Sequence, residues 1–247
     1  MPDDLVSQPT EALFREDSAL TECAARIRAL DDIGLRLDRT VFYPQGGGQA
    51  GDAGELLLAD GTRIAIADTR KGEAPDEIVH VPAEGRAEVL GRLRPGDEVI
   101  ARIDWNRRHR HMRFHTATHL LCALVPHPVN GCSITATYAR LDFHMTEPLD
   151  KEAIGAGLTR LVAAAHAVRQ RWISEAELDA DPSLVRSMSV QPPRGSGRVR
   201  LLEIEGVDLQ PCGGTHVANT AEVGNVVVRK IEKKSAQTRR VVLEFAA

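Results

Sequence analysis

Hydrophobic residues in the first hundred positions fall at every second place, in short runs separated by turn-forming residues. Ile33, Leu35 and Leu37 alternate with Gly34, Arg36 and Asp38, the period of a half-buried strand. Ala59-Asp60-Gly61-Thr62 separates Leu56-Leu57-Leu58 from the alternating Arg63-Ile64-Ala65-Ile66-Ala67, which is a hairpin signal. Arg94-Pro95-Gly96-Asp97 turns the chain into a further alternation at Val99, Ala101 and Ile103. Evenly spaced short strands of this kind predict a small β-barrel whose boundary falls near Trp105.

The period then changes. No Gly or Pro occurs from about Asn106 to Val125, Leu120, Leu121 and Leu124 fall at helical spacing, and Pro126 stops the run. Ser133 to Phe143 reads as a hairpin. Asp150 is placed to N-cap a long helix with an apolar face of Ile154, Leu158, Leu161, Val162, Ala165 and Val168. Ser174 and Glu177 have capping-box spacing for a short helix, and Pro192-Pro193-Arg194-Gly195-Ser196-Gly197 reads as a loop. Val199–Ile204, Val226–Val228 and Val241–Phe245 are the closing strands. Strands and helices segregated in this way predict an α+β fold, with a β-barrel domain over 1–104 and an α+β domain over 105–247.

Composition narrows the class. A chain of 247 residues with 43% hydrophobic and 27% charged residues fits a globular protein. No apolar run approaches the roughly 20 residues that span a bilayer, and the acidic start Met1-Pro2-Asp3-Asp4 leads into no apolar segment of a secretory signal. Four scattered cysteines, Cys23, Cys122, Cys132 and Cys212, lack the spacing of a disulfide framework. A reducing, cytoplasmic setting is therefore expected. The net charge of −4 hides two basic stretches, Arg102 to Arg113 and Arg229 to Arg240, which matter more than the total.

The chemistry lies in two half-motifs. His115-Thr116-Ala117-Thr118-His119 puts two imidazoles on one helix face, a turn apart, and Cys212-Gly213-Gly214-Thr215-His216 repeats the spacing around a Gly-Gly turn. Thiolate plus imidazoles is the ligand chemistry zinc prefers, so His115, His119, Cys212 and His216 are candidate metal ligands if the fold brings them together. Tyr43-Pro44-Gln45-Gly46-Gly47-Gly48-Gln49 matches neither the dinucleotide nor the phosphate-loop pattern. It reads either as a tight barrel corner or as a loop that touches RNA or packs over the site.

These residues, with His115 to Leu121 and Asp208 to Val217 around the half-motifs, resemble the editing domain shared by alanyl- and threonyl-tRNA synthetases. With the Gly-rich stretch in a preceding barrel and no aminoacylation or anticodon module, the whole chain resembles the free-standing AlaX alanyl-tRNA editing proteins in their medium-length form. The resemblance implies that His115, His119, Cys212 and His216 bind Zn2+ and carry the catalytic centre. It also implies a reaction, hydrolysis of the ester joining serine, or glycine, to tRNA(Ala), which no synthetase pocket built for alanine can reject by binding alone. Candidate substrate-binding groups are Thr116, Thr118, Thr215 and Gln49; Ser133 stands in for the glutamine that the family has near Asn130-Gly131-Cys132-Ser133. Arg107, Arg108, Arg110 and Arg113, at the start of the metal helix, and Lys233, Lys234, Arg239 and Arg240 are candidate RNA contacts, since a helix N-terminus with added arginines attracts phosphate. Two other readings stand beside it: a zinc-stabilised tRNA-binding module without turnover, and a threonyl-type editing domain, which the barrel and the Gly-rich stretch disfavour.

Overall fold

In the computed structural model, which describes residues 9–74, 76–85, 87–188 and 197–246, the chain divides into two compact units. Met1–Gly46 with Ala50–Arg108 form one, and Gly47–Gln49 with His109–Ala247 form the other. The acidic start at Met1–Asp4 and the loop at 192–196 lie outside the described residues. Among the described residues no helix is long and apolar enough to cross a membrane.

The first unit is built on β1 (Glu22–Leu30), β2 (Leu35–Leu37), β3 (Gly54–Leu58), β4 (Arg63–Lys71), β5 (Ile78–Pro82) and β6 (Glu98–Ile103). All pairings are antiparallel, and the strands close into a barrel in the order β1-β2-β5-β4-β3-β6. Closure removes the unpaired edges that an open sheet would expose. The alternation works as expected on β6, where Val99, Ala101 and Ile103 are buried beside Ile27, Leu37, Phe42, Leu56 and Ile64. The hairpin at residues 59–62 joins β3 to β4. Ile33 departs from the expected strand: it is 57% exposed, and pairing starts only at Leu35. A short helix at Ala87–Leu90 carried no signal in the sequence.

The second unit takes in α1 (Trp105–Leu124) from His109 onward. Asp104 caps it, its Oδ1 accepting from the Arg107 backbone N–H at 3.1 Å. Every residue from Phe114 to Cys122 is buried, polar ones included. There follow β7 (Val129–Ile134), β8 (Ala139–His144), α2 (Lys151–Ala163), β9 (Val168–Ser174), α3 (Glu175–Ala180), β10 (Arg198–Ile204), β11 (Asp208–Pro211), β12 (Val226–Ser235) and β13 (Thr238–Phe245). They form a four-stranded sheet, β12-β13-β8-β7, and a three-stranded sheet, β9-β10-β11. Together with the barrel this is the expected α+β class.

Asp150 caps α2 by accepting from the Glu152 and Ala153 N–H groups, and Ser174 and Glu177 make the full capping box of α3. Gly157 lets α2 cross α1 closely, since a Cβ there would lie 2.7 Å from Leu124 Cδ2. The long helix expected to reach Val168 ends sooner, because Ala165 takes a left-handed φ of 53°. Val168 instead opens β9, paired with Ile204. The final strands also run longer than their apolar cores: β12 carries a polar tail from Arg229 to Ser235 that the alternation did not mark.

Candidate metal centre

The two half-motifs meet within the second unit. One donor atom from each of His115, His119, Cys212 and His216 lies within 4.8 Å of every other. Cys212 Sγ is 3.2 Å from His216 Nε2 and 3.5 Å from His115 Nε2. Zinc bonded to nitrogen at about 2.0 Å and sulfur at about 2.3 Å in a tetrahedron sets donor separations of roughly 3.3–3.6 Å. The Cys–His distances match that spacing.

Each histidine is oriented from behind through Nδ1. His115 Nδ1 is 2.8 Å from Gln49 Oε1, His119 Nδ1 is 2.8 Å from Asp208 Oδ2, and His216 Nδ1 is 3.2 Å from Thr116 Oγ1. Carboxylate and amide oxygens only accept, so the His115 and His119 Nδ1 atoms carry protons and Nε2 is left as the donor to the centre. The Gln49 amide has one orientation, because Oε1 also accepts the Thr215 backbone N–H at 3.2 Å while Nε2 donates to Thr215 Oγ1 at 2.9 Å. A full set of outer hydrogen bonds on inward-facing imidazoles is how proteins hold a metal, and these residues fit one.

The four groups also perturb one another's charge. Burial raises the Cys212 thiol, but His115 and His216 beside it outweigh that effect and bring it well below its ordinary range. Burial pushes Cys122 and Cys132 up to about 12, and raises Cys23. Of the four cysteines, Cys212 is the one whose surroundings favour the thiolate. Burial lowers His119, but the hydrogen bonds to Asp208 and Cys212 overcome it and lift the ring to about 9. Burial and the neighbouring His115 hold His216 well below its ordinary value.

The fold explains how the 212–216 turn reaches the helix. Arg200 on β10 donates from Nη1 to the Cys212 and Gly214 carbonyls at 3.1 and 2.7 Å. Gly48, at a φ of 86°, packs on Cys132, and its carbonyl accepts from Ile134 N–H at 2.7 Å. That contact attaches the segment 47–49 to β7 and delivers Gln49 to His115. Of the two readings of the Gly-rich stretch, the barrel corner does not describe these three residues.

The other candidates fall in varied places. Thr118 Oγ1 donates to the His115 carbonyl at 2.7 Å, an ordinary contact within a helix turn. Ser133 lies half-buried opposite Arg140, and strand alternation turns it to the face away from Cys132. Among the basic residues, Arg108 is fully buried and ion-paired with Asp52, with further donors to the Val41 and Ser18 carbonyls. Arg239 is also buried, donating to the Glu147 and Thr146 carbonyls. Neither guanidinium can reach a phosphate. Arg107 donates to the Gly51 carbonyl, Arg240 forms a two-pronged pair with Asp142, and Arg110 and Arg113 lie over the Phe245 ring at 4.9 and 3.9 Å. Lys233 and Lys234 are exposed near the end of β12. Asp104 already caps the first turn of the helix, its Oδ1 accepting from the Arg107 N–H.

Comparison with known proteins agrees with this geometry. Residues 199–242 match the threonyl and alanyl tRNA synthetase second additional domain, and residues 7–107 match the class II (A) tRNA synthetase family. An alanyl-tRNA editing protein AlaX-M of Methanosarcina acetivorans is 33% identical over 94% of this chain and 97% of its own length. The chain belongs to the AlaX-M family of alanyl-tRNA editing proteins. A second AlaX-M, from Saccharolobus solfataricus, is 32% identical over the same shares. An alanine–tRNA ligase of Metallosphaera sedula is 35% identical over the whole of this chain but only 28% of its own length. The AlaX-M relatives thus match this chain over nearly their whole length, whereas the match covers only a part of the ligase.

Proposed function

We propose that the chain is a trans-editing ester hydrolase that deacylates tRNA(Ala) mischarged with serine, and also with glycine, at a zinc centre formed by His115, His119, Cys212 and His216. The observation that carries this reading is the convergence of four donors, each histidine anchored through Nδ1, in a chain that matches alanyl-tRNA editing proteins over 94% of its length. When bound, a zinc ion supplies Lewis acidity at the ester. The protein's own part is to hold the donors rigidly: Gln49 fixes His115, Thr116 meets His216, and Arg200 braces the Cys212–Gly214 turn. Thr116 and Thr215, whose hydroxyls contact His216 and Gln49, are candidates to meet the serine side chain. Exposed Lys233 and Lys234 are the basic residues best placed to meet an RNA backbone.

One observation favours the alternative of a zinc-stabilised tRNA-binding module. Four protein donors suffice to close a tetrahedral site, whereas hydrolytic zinc keeps one position open. A single assay separates the readings. Purified protein with zinc is expected to accelerate loss of serine from seryl-tRNA(Ala), with chelator and Cys212→Ala each abolishing the effect. Salt-sensitive tRNA binding with no acceleration would establish the binding module instead. Faster hydrolysis of seryl-tRNA(Thr) than of seryl-tRNA(Ala) would establish threonyl-type editing.

A further inference from the structure

Asp208 sits at the start of β11, four residues before Cys212, with a fully buried side chain. A buried carboxylate is costly unless it is neutralised and hydrogen-bonded. Its Oδ2 faces His119 Nδ1 at 2.8 Å. Gln210, two residues along the same strand, donates from Nε2 to both carboxylate oxygens at 3.0 and 2.8 Å. The Arg186 Nη2 lies 3.7 Å from Oδ1, and its Nη1 donates at 3.0 Å to the carbonyl of Cys122 on α1. The carboxylate is thereby held between the metal helix and the strand that leads into the Cys212 turn.

The three histidines are not backed equally. His115 meets a neutral amide oxygen, His216 meets a hydroxyl, and His119 alone meets a charge. We propose that Asp208 is a positioning residue for the centre: held by Gln210 and Arg186, it fixes the His119 ring with the proton on Nδ1 and makes Nε2 the strongest imidazole donor of the set. This rests on the zinc centre proposed above. A carboxylate behind a ligating histidine raises its basicity as a ligand, and removing such a partner typically lowers metal affinity about 10–100-fold. Gln210 acts one step further out, by holding the carboxylate in line.

The test is a double-mutant cycle read as zinc affinity by chelator competition, on full-length Asp208→Ala, His119→Ala and the double variant, with circular dichroism to select folded protein. Asp208→Ala is expected to weaken zinc about 10–100-fold in the native background and to cost nothing further when His119 is already absent. Asp208→Asn, which keeps an oxygen facing Nδ1, is expected to fall between the two. An equal loss with and without His119 would show a merely structural role and overturn the proposal, as would wild-type affinity in folded Asp208→Ala. Wild-type protein that holds no stoichiometric zinc would overturn the centre itself and this proposal with it, a result distinct from either of those.

Discussion

Gly214 lies so close to the His115 ring that a Cβ on it would stand 2.1 Å from Cε1 and 2.4 Å from Nδ1. The second glycine of the turn is therefore required by contact with His115, a candidate ligand from the other half-motif. Gly213 faces nothing within 4 Å at the same position. Gly214→Ala is expected to push the His115 ring off Gln49 and cost zinc and deacylation together, with the fold retained. Gly213→Ala is expected to keep both within a few-fold. Zinc content per chain, measured beside a thermal melt, distinguishes loss of the site from loss of the protein.

Gln49 makes a sharper test, because it was read from the sequence as a substrate contact and the structure shows it bonded to His115, a candidate ligand. Truncation in Gln49→Ala removes the acceptor for His115 Nδ1 and leaves the Thr215 N–H unmet. Zinc affinity is expected to fall about 10–100-fold. A substrate-binding role alone would raise KM and leave zinc affinity unchanged, so chelator titration beside kinetics decides the matter.

The legible parts of this chain were those with local causes. The alternation at Val99, Ala101 and Ile103, the capping box of Ser174 and Glu177, and the Asp150 cap are each written within a few residues. The convergence of the two half-motifs was legible because soft and imidazole donors at helical spacing have few other uses. The remainder depends on contacts across long stretches of chain. Nothing near Gln49 announces His115, 66 residues on, and nothing near Asp208 announces His119, 89 residues back. Arg108 looked like a surface cation because its partner Asp52 lies 56 residues away. The α2 terminus was misread because a left-handed alanine, Ala165, ends the helix where a glycine would have signalled it.

The basic residues sort into two classes with opposite expectations. Arg108 is buried against Asp52, so Arg108→Ala leaves a buried carboxylate unpaired and is expected to cost about 3–5 kcal/mol of stability. Its effect on tRNA affinity, measured on folded protein, is expected to be nil. Lys233→Ala with Lys234→Ala should do the reverse: stability unchanged, tRNA binding weaker, and the salt dependence shallower by roughly one counterion per lysine in contact with phosphate. Filter binding over a salt series, beside urea melts of the same proteins, checks both halves. A loss of affinity in folded Arg108→Ala would mean that the barrel residues around it shape the RNA surface.

The last expectation concerns the barrel and acidity. His80 on β5 is fully buried; its Nδ1 faces the Leu35 carbonyl at 3.2 Å and its Nε2 lies 2.8 Å from Thr40 Oγ1. A carbonyl only accepts, so Nδ1 carries the proton and Nε2 accepts from the threonine hydroxyl, which in turn accepts from the Phe42 N–H. A second proton on Nε2 would oppose the threonine donor in a dry site, and burial lowers the ring to about 4 from 6.5. The unfolded chain therefore binds a proton that the folded chain refuses between those values. Stability from this residue is present in full above pH 6.5 and is lost as pH falls toward 4, a change on the order of 3 kcal/mol. His80→Gln keeps hydrogen-bonding groups without the titration, so between pH 7 and pH 4 the native protein should lose more stability than the variant by about that amount. Urea unfolding followed through Trp105, which packs on the barrel core, reads the difference, and parallel pH curves for the two proteins would exclude His80 as its source.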